Sequence, residues 1–234
     1  MDPIFSRMER MLPAQQLDRL TQAHVAVFGV GGVGGSLCEA LVRAGIGEIT
    51  IVDQDTVDLT NINRQIIALH STLGRPKVEV MRERLLDINP TCTVHARQEF
   101  FLPETADAYD FAQYSYVADA VDTVTAKLEI ITRAKAAGVP VISAMGAGNK
   151  LDATALHLAD LYDTSVCPLA RVMRAECRKR GFSDIPVVYS TEPSRPVRGG
   201  EGEAHPAPGS ISYLPPMAGY LMAAKILRDL LGLS

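Results

Sequence analysis

Residues 24–35 read HVAVFGVGGVGG, and the fold turns on them. HVAVFG (24–29) is a short β-branched run ending in glycine; residues 33–44 then repeat apolar side chains at helical spacing, with Leu37, Leu41 and Val42 facing inward. The reading is strand, tight turn, helix. Gly29, Gly31 and Gly34 have the G-x-G-x-x-G spacing, and Gly32 lies among them. The first two permit a close backbone approach to a phosphate, the third lets helix and strand pack, and the helix N-terminus offers free N–H groups and positive potential.

Outward from this unit the pattern repeats. EITIVD (48–53) reads as the next buried strand, and residues 75–88 carry Val78, Met81, Leu85 and Ile88 at helix spacing. Further strands are expected at 93–100, 116–119 and 139–144, with a helix at 123–137 stopped by Gly138 and Pro140. Strands at 153–161 and 187–190, a helix at 168–180 and a closing apolar helix at 216–231 complete the chain. The alternation predicts an α/β fold, Rossmann-like and doubly wound, with a mostly parallel sheet and a mixed C-terminal extension. One domain over 1–234 is expected, its nucleotide-binding half at about 20–145 and its C-terminal half at about 146–234. The proline- and glycine-crowded stretch 193–209 has almost nothing to bury and is expected to be a mobile surface insertion; the competing reading is a lid that orders on substrate binding.

Bulk properties narrow the classes. The 234 residues are 47% hydrophobic and 21% charged, in mixed order, with no apolar run near the length of a membrane span, so a soluble protein without a membrane partner is expected. MDPIFSRMER at the start lacks the apolar stretch of a secretory signal, which predicts a cytoplasmic protein. Cys38, Cys92, Cys167 and Cys177 are widely spaced and form no CxxC pair, which fits a reducing compartment and predicts no zinc. A net charge of -4 gives no general attraction for nucleic acid, so any such contact must rest on a local basic patch.

Asp53 ends the second strand at the usual distance from the glycine loop for accepting hydrogen bonds from ribose hydroxyls. To this point the pattern fits NAD at least as well as ATP. The balance shifts with DQDTVDLTNINRQ (53–65) and GRPK (74–77), which leave the strand end where phosphates should lie and bring Asn61, Arg64 and Lys77 within reach. A triphosphate needs that cationic help, whereas a dinucleotide has little use for it. Asp122, just beyond the strand at 116–119, offers a hard oxygen suited to Mg²⁺. Asp55 and Asp58 also read as turn formers, and Asn63 as an element cap.

The glycine loop, D-x-D-x-V-x-x-x-N-x-x-R-Q at 53–65, G-x-x-K at 74–77 and Asp122 together resemble the ubiquitin-activating-like superfamily of ThiF-type adenylating domains. The resemblance implies that Asp53 holds the ribose, that Asn61, Arg64 and Lys77 grip the phosphates, and that Asp122 serves the magnesium-bound nucleotide. Asp55 and Gln65 belong to the same nucleotide-binding segment. FSR (5–7) is similar to an N-terminal segment whose arginine reaches into the neighbouring subunit. Arg7 thereby joins Arg64, Lys77 and Asp122 as a candidate catalytic residue, acting in trans in a homodimer.

TNINRQ, SYVADAVD (115–122), CPLARVMRAECRKRG (167–181), VVYSTE (187–192) and GSISYLPPMAGYLMAAKILRDLL (209–231) further resemble the tRNA-modifying branch, the threonylcarbamoyladenosine dehydratases. That likeness spans nearly the whole chain and is weakest at 100–115 and in the proline-glycine stretch. It implies ATP-dependent activation of a carboxylate on threonylcarbamoyladenosine in tRNA, followed by ring closure, with ATP and Mg²⁺ as cofactors. A monovalent cation and a sulfur-transfer partner protein are left open. The nearest rival is adenylation of the C-terminus of a ubiquitin-like sulfur-carrier protein. Its activators typically carry paired CxxC zinc motifs, which are missing here.

Two further features bear on mechanism. Cys167 precedes Pro168 at a helix start, where the dipole favours a thiolate, yet a buried structural thiol is the commoner case. Arg171, Arg174 and Arg178, with Lys179 and Arg180, make the one dense basic stripe and a candidate contact for the tRNA backbone; a solvated helix face is the alternative.

Overall fold

In the computed structural model, which describes residues 3–197 and 207–233, the β-branched run forms β1 (His24–Phe28), buried along its whole length. β2 (Glu48–Val52) and β3 (Thr93–Arg97) lie to one side of it. On the other lie β4 (Tyr116–Asp119), β5 (Val141–Ala144), β7 (Pro186–Ser190) and β6 (Leu156–Asp160). The order is β3-β2-β1-β4-β5-β7-β6, with every pair parallel except β6 with β7. This is the expected doubly wound sheet, with its one antiparallel pair in the C-terminal extension.

Alternation along β1 divides the interior. Val25 and Val27 enter a core shared with α1 (Ala14–Gln22), α2 (Gly32–Arg43), α3 (Lys77–Ile88) and α6 (Leu214–Leu231). Ala26 and Phe28 enter the other, with α4 (Val124–Ala136) and α5 (Pro168–Lys179). Period-2 alternation in a sheet covered on both faces gives this division. The second core is rich in rings: Phe28 packs on Phe101 at 4.7 Å and lies parallel to Phe111 at 5.7 Å.

Three details depart from the sequence pattern. α1 was not foreseen: AQQLDRLTQ buries only Leu17 and Leu20, two apolar residues in an otherwise polar run. β3 stops at Arg97, three residues before the expected end. Residues Ala153–Ala155 form a 3-10 turn before β6, because the Asp152 side chain accepts from the Thr154 N–H and competes with strand pairing. Among the described residues, no helix is long and apolar enough to cross a membrane.

The winding sets the site. β1 leads outward to β2 and β3, and the chain then returns to β4 on β1's other side, so the crevice opens beyond the carboxyl ends of β1 and β4. Phe28 pairs with both Val52 and Asp119, which brings three strand ends level there.

Candidate active site

A cleft of about 710 Å³ occupies this crevice. Of the residues expected from sequence, Gly29, Gly31, Gly32, Asp53, Asp55, Asn61, Arg64, Gln65, Lys77 and Asp122 line it. Gly34 lies behind, where a Cβ would sit 1.8 Å from the Gly29 carbonyl oxygen; only glycine lets α2 pack so close to the loop. Gly29 has φ +91 and a Cβ there would meet the Ala120 carbonyl oxygen at 2.7 Å, so the turn excludes side chains on two counts. α2 then begins without a side-chain cap, and Gly31, Gly32 and Val33 of its first turn face the cleft.

Asp53, the expected ribose acceptor, organises the backbone around it. One carboxylate oxygen accepts from the Val30 N–H at 2.7 Å and the other from the Asp55 N–H at 2.9 Å, so it ties the glycine loop to the start of the 53–65 segment. Residues 55–57 next pair with 74–77: the Lys77 N–H donates to the Asp55 carbonyl, the Val57 N–H to Arg75, and Thr56 bridges Pro76 antiparallel. This clasp delivers Lys77 to the first turn of α3. There its Nζ lies 2.7 Å from Asp55 Oδ2, so the lysine charge is already paired.

Asp58 is the turn former it resembled: it accepts from the Thr60 N–H and hydroxyl, and those bonds hold its carboxyl below the usual range. Asn61, buried, accepts from the Asp58 N–H and closes the same turn. Arg64 donates to the Thr60 carbonyl at 3.0 Å and to Asn63 Oδ1 at 2.9 Å, but among the described residues no carboxylate pairs with it. Asp122 is exposed and has no cationic partner among them. Gln65 Oε1 is buried with no hydrogen-bond partner among the described residues, an unsatisfied polar atom on the cleft wall.

Pro215 packs against Gly32 of the glycine loop, and a second part of the lining comes from residues 144–148 and 207–210 with Leu169. Asn149, with φ 61, clamps it: its side-chain oxygen accepts from the Gly209 N–H at 2.6 Å, its N–H donates to the Gly209 carbonyl, and its carbonyl accepts from the Arg195 N–H. Asn63 Nδ2 adds a bond to the Ser210 carbonyl from the other side. Both arms of the proline-glycine stretch are therefore held by hydrogen bonds to Asn149; of the stretch 193–209 on which the mobility expectation falls, residues 198–206 lie outside the described residues.

Sequence reasoning missed the joint between the ends of β4 and β5. Lys127 is fully buried, and its Nζ reaches both Asp119 oxygens at 3.2 and 3.1 Å and the Ala144 carbonyl at 2.6 Å; the Ser143 hydroxyl donates to the same carboxylate. Asp119 also accepts from the Val121 N–H, so one ammonium fixes the strand ends of β4 and β5 and the backbone before Asp122. A lysine beside Ala126 and Leu128 on an apolar helix face was the available signal. Asn149 was signalled more weakly, by a left-handed-tolerant residue in the turn GAGNK.

Cys167 is 2% exposed and lies behind Gly146, where a Cβ would be 3.8 Å from its Sγ. Nearby Lys150 is buried and donates to the Ser190 carbonyl; burial lowers its pKa, while Cys167 and Glu192 oppose that shift. Burial pushes the Cys177 thiol up to about 11, which marks it as structural. The basic stripe is mostly engaged within α5 and its neighbours. Arg174 bonds to Thr164, Arg178 lies over the Tyr162 ring, and Lys179 and Arg180 pair with Glu176; Arg171 alone has no partner among the described residues. Arg7 is exposed, and the adjoining Phe5 packs at Gly45 beyond the far end of α2, about 18 Å of helix from the glycine loop. It does not line the cleft of its own chain.

Comparison with known proteins agrees with this geometry. The tRNA threonylcarbamoyladenosine dehydratase of Bacillus subtilis (strain 168) is 40% identical over 97% of this chain and 94% of its own. The Haemophilus influenzae protein of that name is 42% identical over 81% of this chain and 76% of its own. The crystal structure of the Escherichia coli tRNA N6-threonylcarbamoyladenosine dehydratase, TcdA, in complex with ATP superposes with a TM-score of 0.88 at 33% identity, covering 97% of this chain and 93% of that one. A sequence profile of the ThiF family matches residues 5–234, and the chain belongs to that family.

Proposed function

We propose that this chain is an ATP-dependent tRNA threonylcarbamoyladenosine dehydratase. The observation that carries the reading is a cleft joining an uncapped helix N-terminus to a guanidinium without a carboxylate partner among the described residues, in a chain similar along nearly its whole length to enzymes of that name.

The residues present suit ATP. The first-turn amides of α2 and Arg64 supply positive potential for the phosphates, Asp53 presents a carboxylate beside the loop, and Gln65 holds a buried oxygen in want of a donor. The exposed Asp122 carboxylate suits a magnesium ion shared with the phosphates; bound there, the ion would neutralise charge developing on the leaving group. Lys77 contributes through a charge that Asp55 holds in place.

In the reaction the free carboxylate of the modified base attacks the α-phosphorus of ATP. One O–P bond forms, the bond to the β-phosphate bridge breaks, and pyrophosphate leaves with the electron pair. The carbamoyl group of the same modification then attacks the activated carbonyl and loses a proton to solvent, while AMP departs with one former carboxylate oxygen. The nucleoside is lighter by one water. Because the second nucleophile is tethered to the substrate, proximity supplies what an enzyme thiol supplies elsewhere.

The position of Arg7 off its own cleft supports a homodimer in which each arginine serves the partner's nucleotide. One continuous sheet through both halves supports a single adenylating domain. Four free, buried thiols support a cytoplasmic setting. The decisive experiment incubates the protein with Mg-ATP and threonylcarbamoyladenosine-bearing tRNA, digests the tRNA and weighs the nucleosides. A product lighter by one water, abolished by Arg64→Ala, is expected. ATP binding with an unchanged nucleoside would overturn the reading in favour of carrier-protein activation.

A further inference from the structure

At the other end of the sheet, away from the cleft, three adjacent strands bring two imidazoles and a carboxylate together. His24 opens β1, Glu48 opens β2 opposite it in register, and His95 lies on β3 opposite Thr50. The ligating atoms of the three side chains lie within 4.8 Å of one another. His24 Nδ1 stands 3.6 Å from Glu48 Oε1, and His95 Nε2 stands 2.7 Å from that same oxygen. Nothing in the nucleotide chemistry uses this group.

We propose that His24, Glu48 and His95 bind one divalent cation of the zinc class.

The donor arrangement argues for it. The second ring nitrogen of His24, Nε2, is hydrogen-bonded to the Thr50 hydroxyl at 2.8 Å, and the ring edge packs on Tyr114 at 4.9 Å between centroids. A metal-ligating histidine is usually fixed in this way, by a hydrogen bond at its other nitrogen. With Nε2 so engaged, Nδ1 faces Glu48 at a separation too long for a hydrogen bond. In a tetrahedral zinc site with bonds of about 2.0–2.1 Å, neighbouring ligand atoms stand about 3.4 Å apart. The His24–Glu48 separation of 3.6 Å matches that spacing, and His95 needs only a small outward shift. His95 and Glu48 are 46% and 41% exposed against 10% for His24, so the buried imidazole forms the floor and the other two leave a path for the ion and a fourth, water ligand.

The class of cation follows from the donors. Two imidazole nitrogens and one carboxylate suit zinc and its neighbours among the transition metals, whereas Mg²⁺ and Ca²⁺ prefer all-oxygen shells. The site differs in kind from the cysteine-ligated zinc whose motif the sequence lacks. Its consequence is mechanical. β3 is the edge strand, and a cation shared by His95, Glu48 and His24 ties that edge through β2 to the centre of the sheet. An ion that binds only the folded chain stabilises it by mass action.

The test uses full-length, tag-free protein titrated with Zn²⁺ at pH 7.5 by calorimetry, with Co²⁺ as a visible-absorption probe and thermal unfolding in parallel. Expected results are one ion per chain, d–d bands of a four-coordinate Co²⁺ site, and a Tm that rises with Zn²⁺ concentration. His95→Ala and Glu48→Gln should each weaken Zn²⁺ binding by at least about tenfold while leaving ATP affinity unchanged, which shows that the variants fold. His157→Ala and Cys92→Ser should bind Zn²⁺ as the parent does. Undiminished binding in His95→Ala would place the ion elsewhere and overturn the proposal; so would absence of saturation at millimolar Zn²⁺, which would leave the cluster a plain hydrogen-bonded network.

Discussion

The wall of the cleft built from the glycine loop and residues 53–77 comes from segments close in sequence, whereas the other wall joins residues 144–149 to 207–210, about sixty positions apart. On the first wall the backbone does most of the work: helix amides, the Asp53 bonds to two N–H groups and the 55–57 clasp surround a guanidinium that no carboxylate pairs among the described residues. On the second, a single left-handed asparagine holds two arms of a distant segment. The difference teaches where chemistry and where access are encoded. Charge is invested in the contiguous wall, shape in the composite one, and Lys127 fastens the start of the composite wall at Ala144 to the end of β4.

That fastening gives the largest expected effect. Lys127→Ala leaves Asp119 buried and uncompensated, and should cost about 3–5 kcal/mol in denaturant unfolding. The double variant Lys127→Met with Asp119→Asn should recover much of the loss, because removing both charges is far cheaper than stranding one. If Lys127→Ala unfolds like the parent, the ends of β4 and β5 do not depend on this joint.

On the contiguous wall, Arg64→Ala should lower kcat by about 10²–10³-fold in single-turnover assays. Stability should change by about 1 kcal/mol or less, since the side chain makes only two hydrogen bonds. An Arg7→Ala variant extends the test between subunits. Mixed in equal amounts with Arg64→Ala under conditions of subunit exchange, it should restore about a quarter of parental activity, because half the dimers are mixed and each has one intact site. No recovery would confine Arg7 to a role outside the partner's cleft.

The composite wall should respond more gently. Asn149→Ala loses the bond to Gly209 and puts a Cβ residue without a side-chain anchor at φ 61, for about 1–2 kcal/mol of stability and a severalfold rise in KM for ATP or tRNA. Asn149→Gly keeps the backbone at ease but lacks the clamp. A KM defect shared by both variants assigns the effect to the clamp; one confined to alanine assigns it to strain.

The same contrast explains what could be read from the chain beforehand. G-x-G-x-x-G, the 53–65 segment and Lys77 were legible because each local element positions the next, and the strands and helices around them carry clean periodicity. The pairing of Lys77 with Asp55 was not, since a spacing of 22 residues becomes a contact only through the clasp between 55–57 and 74–77. Lys127 was passed over because a lysine on a helix ordinarily snorkels to solvent, and its burial depends on Asp119 and Ser143 from two strands. Asn149 and Gly209 could not be matched from sequence at all, because nothing local to either one names the other.

Cys167 provides the smallest effect and the sharpest limit on the contrast. It backs the composite wall without lining the cleft, 2% exposed behind Gly146 with Lys150 nearby, and lines a separate recess with Arg171 and Arg174. If that wall shapes access and carries no covalent step, Cys167→Ala should keep activity within about twofold and cost only about 1 kcal/mol for a small buried truncation. Intact mass of the protein quenched during turnover should show no adduct on the parent chain. A collapse of kcat with ATP affinity preserved would mean that the thiol takes the activated acyl group before ring closure. The division of labour between the walls would then fail, because the composite wall would supply a nucleophile as well as a boundary.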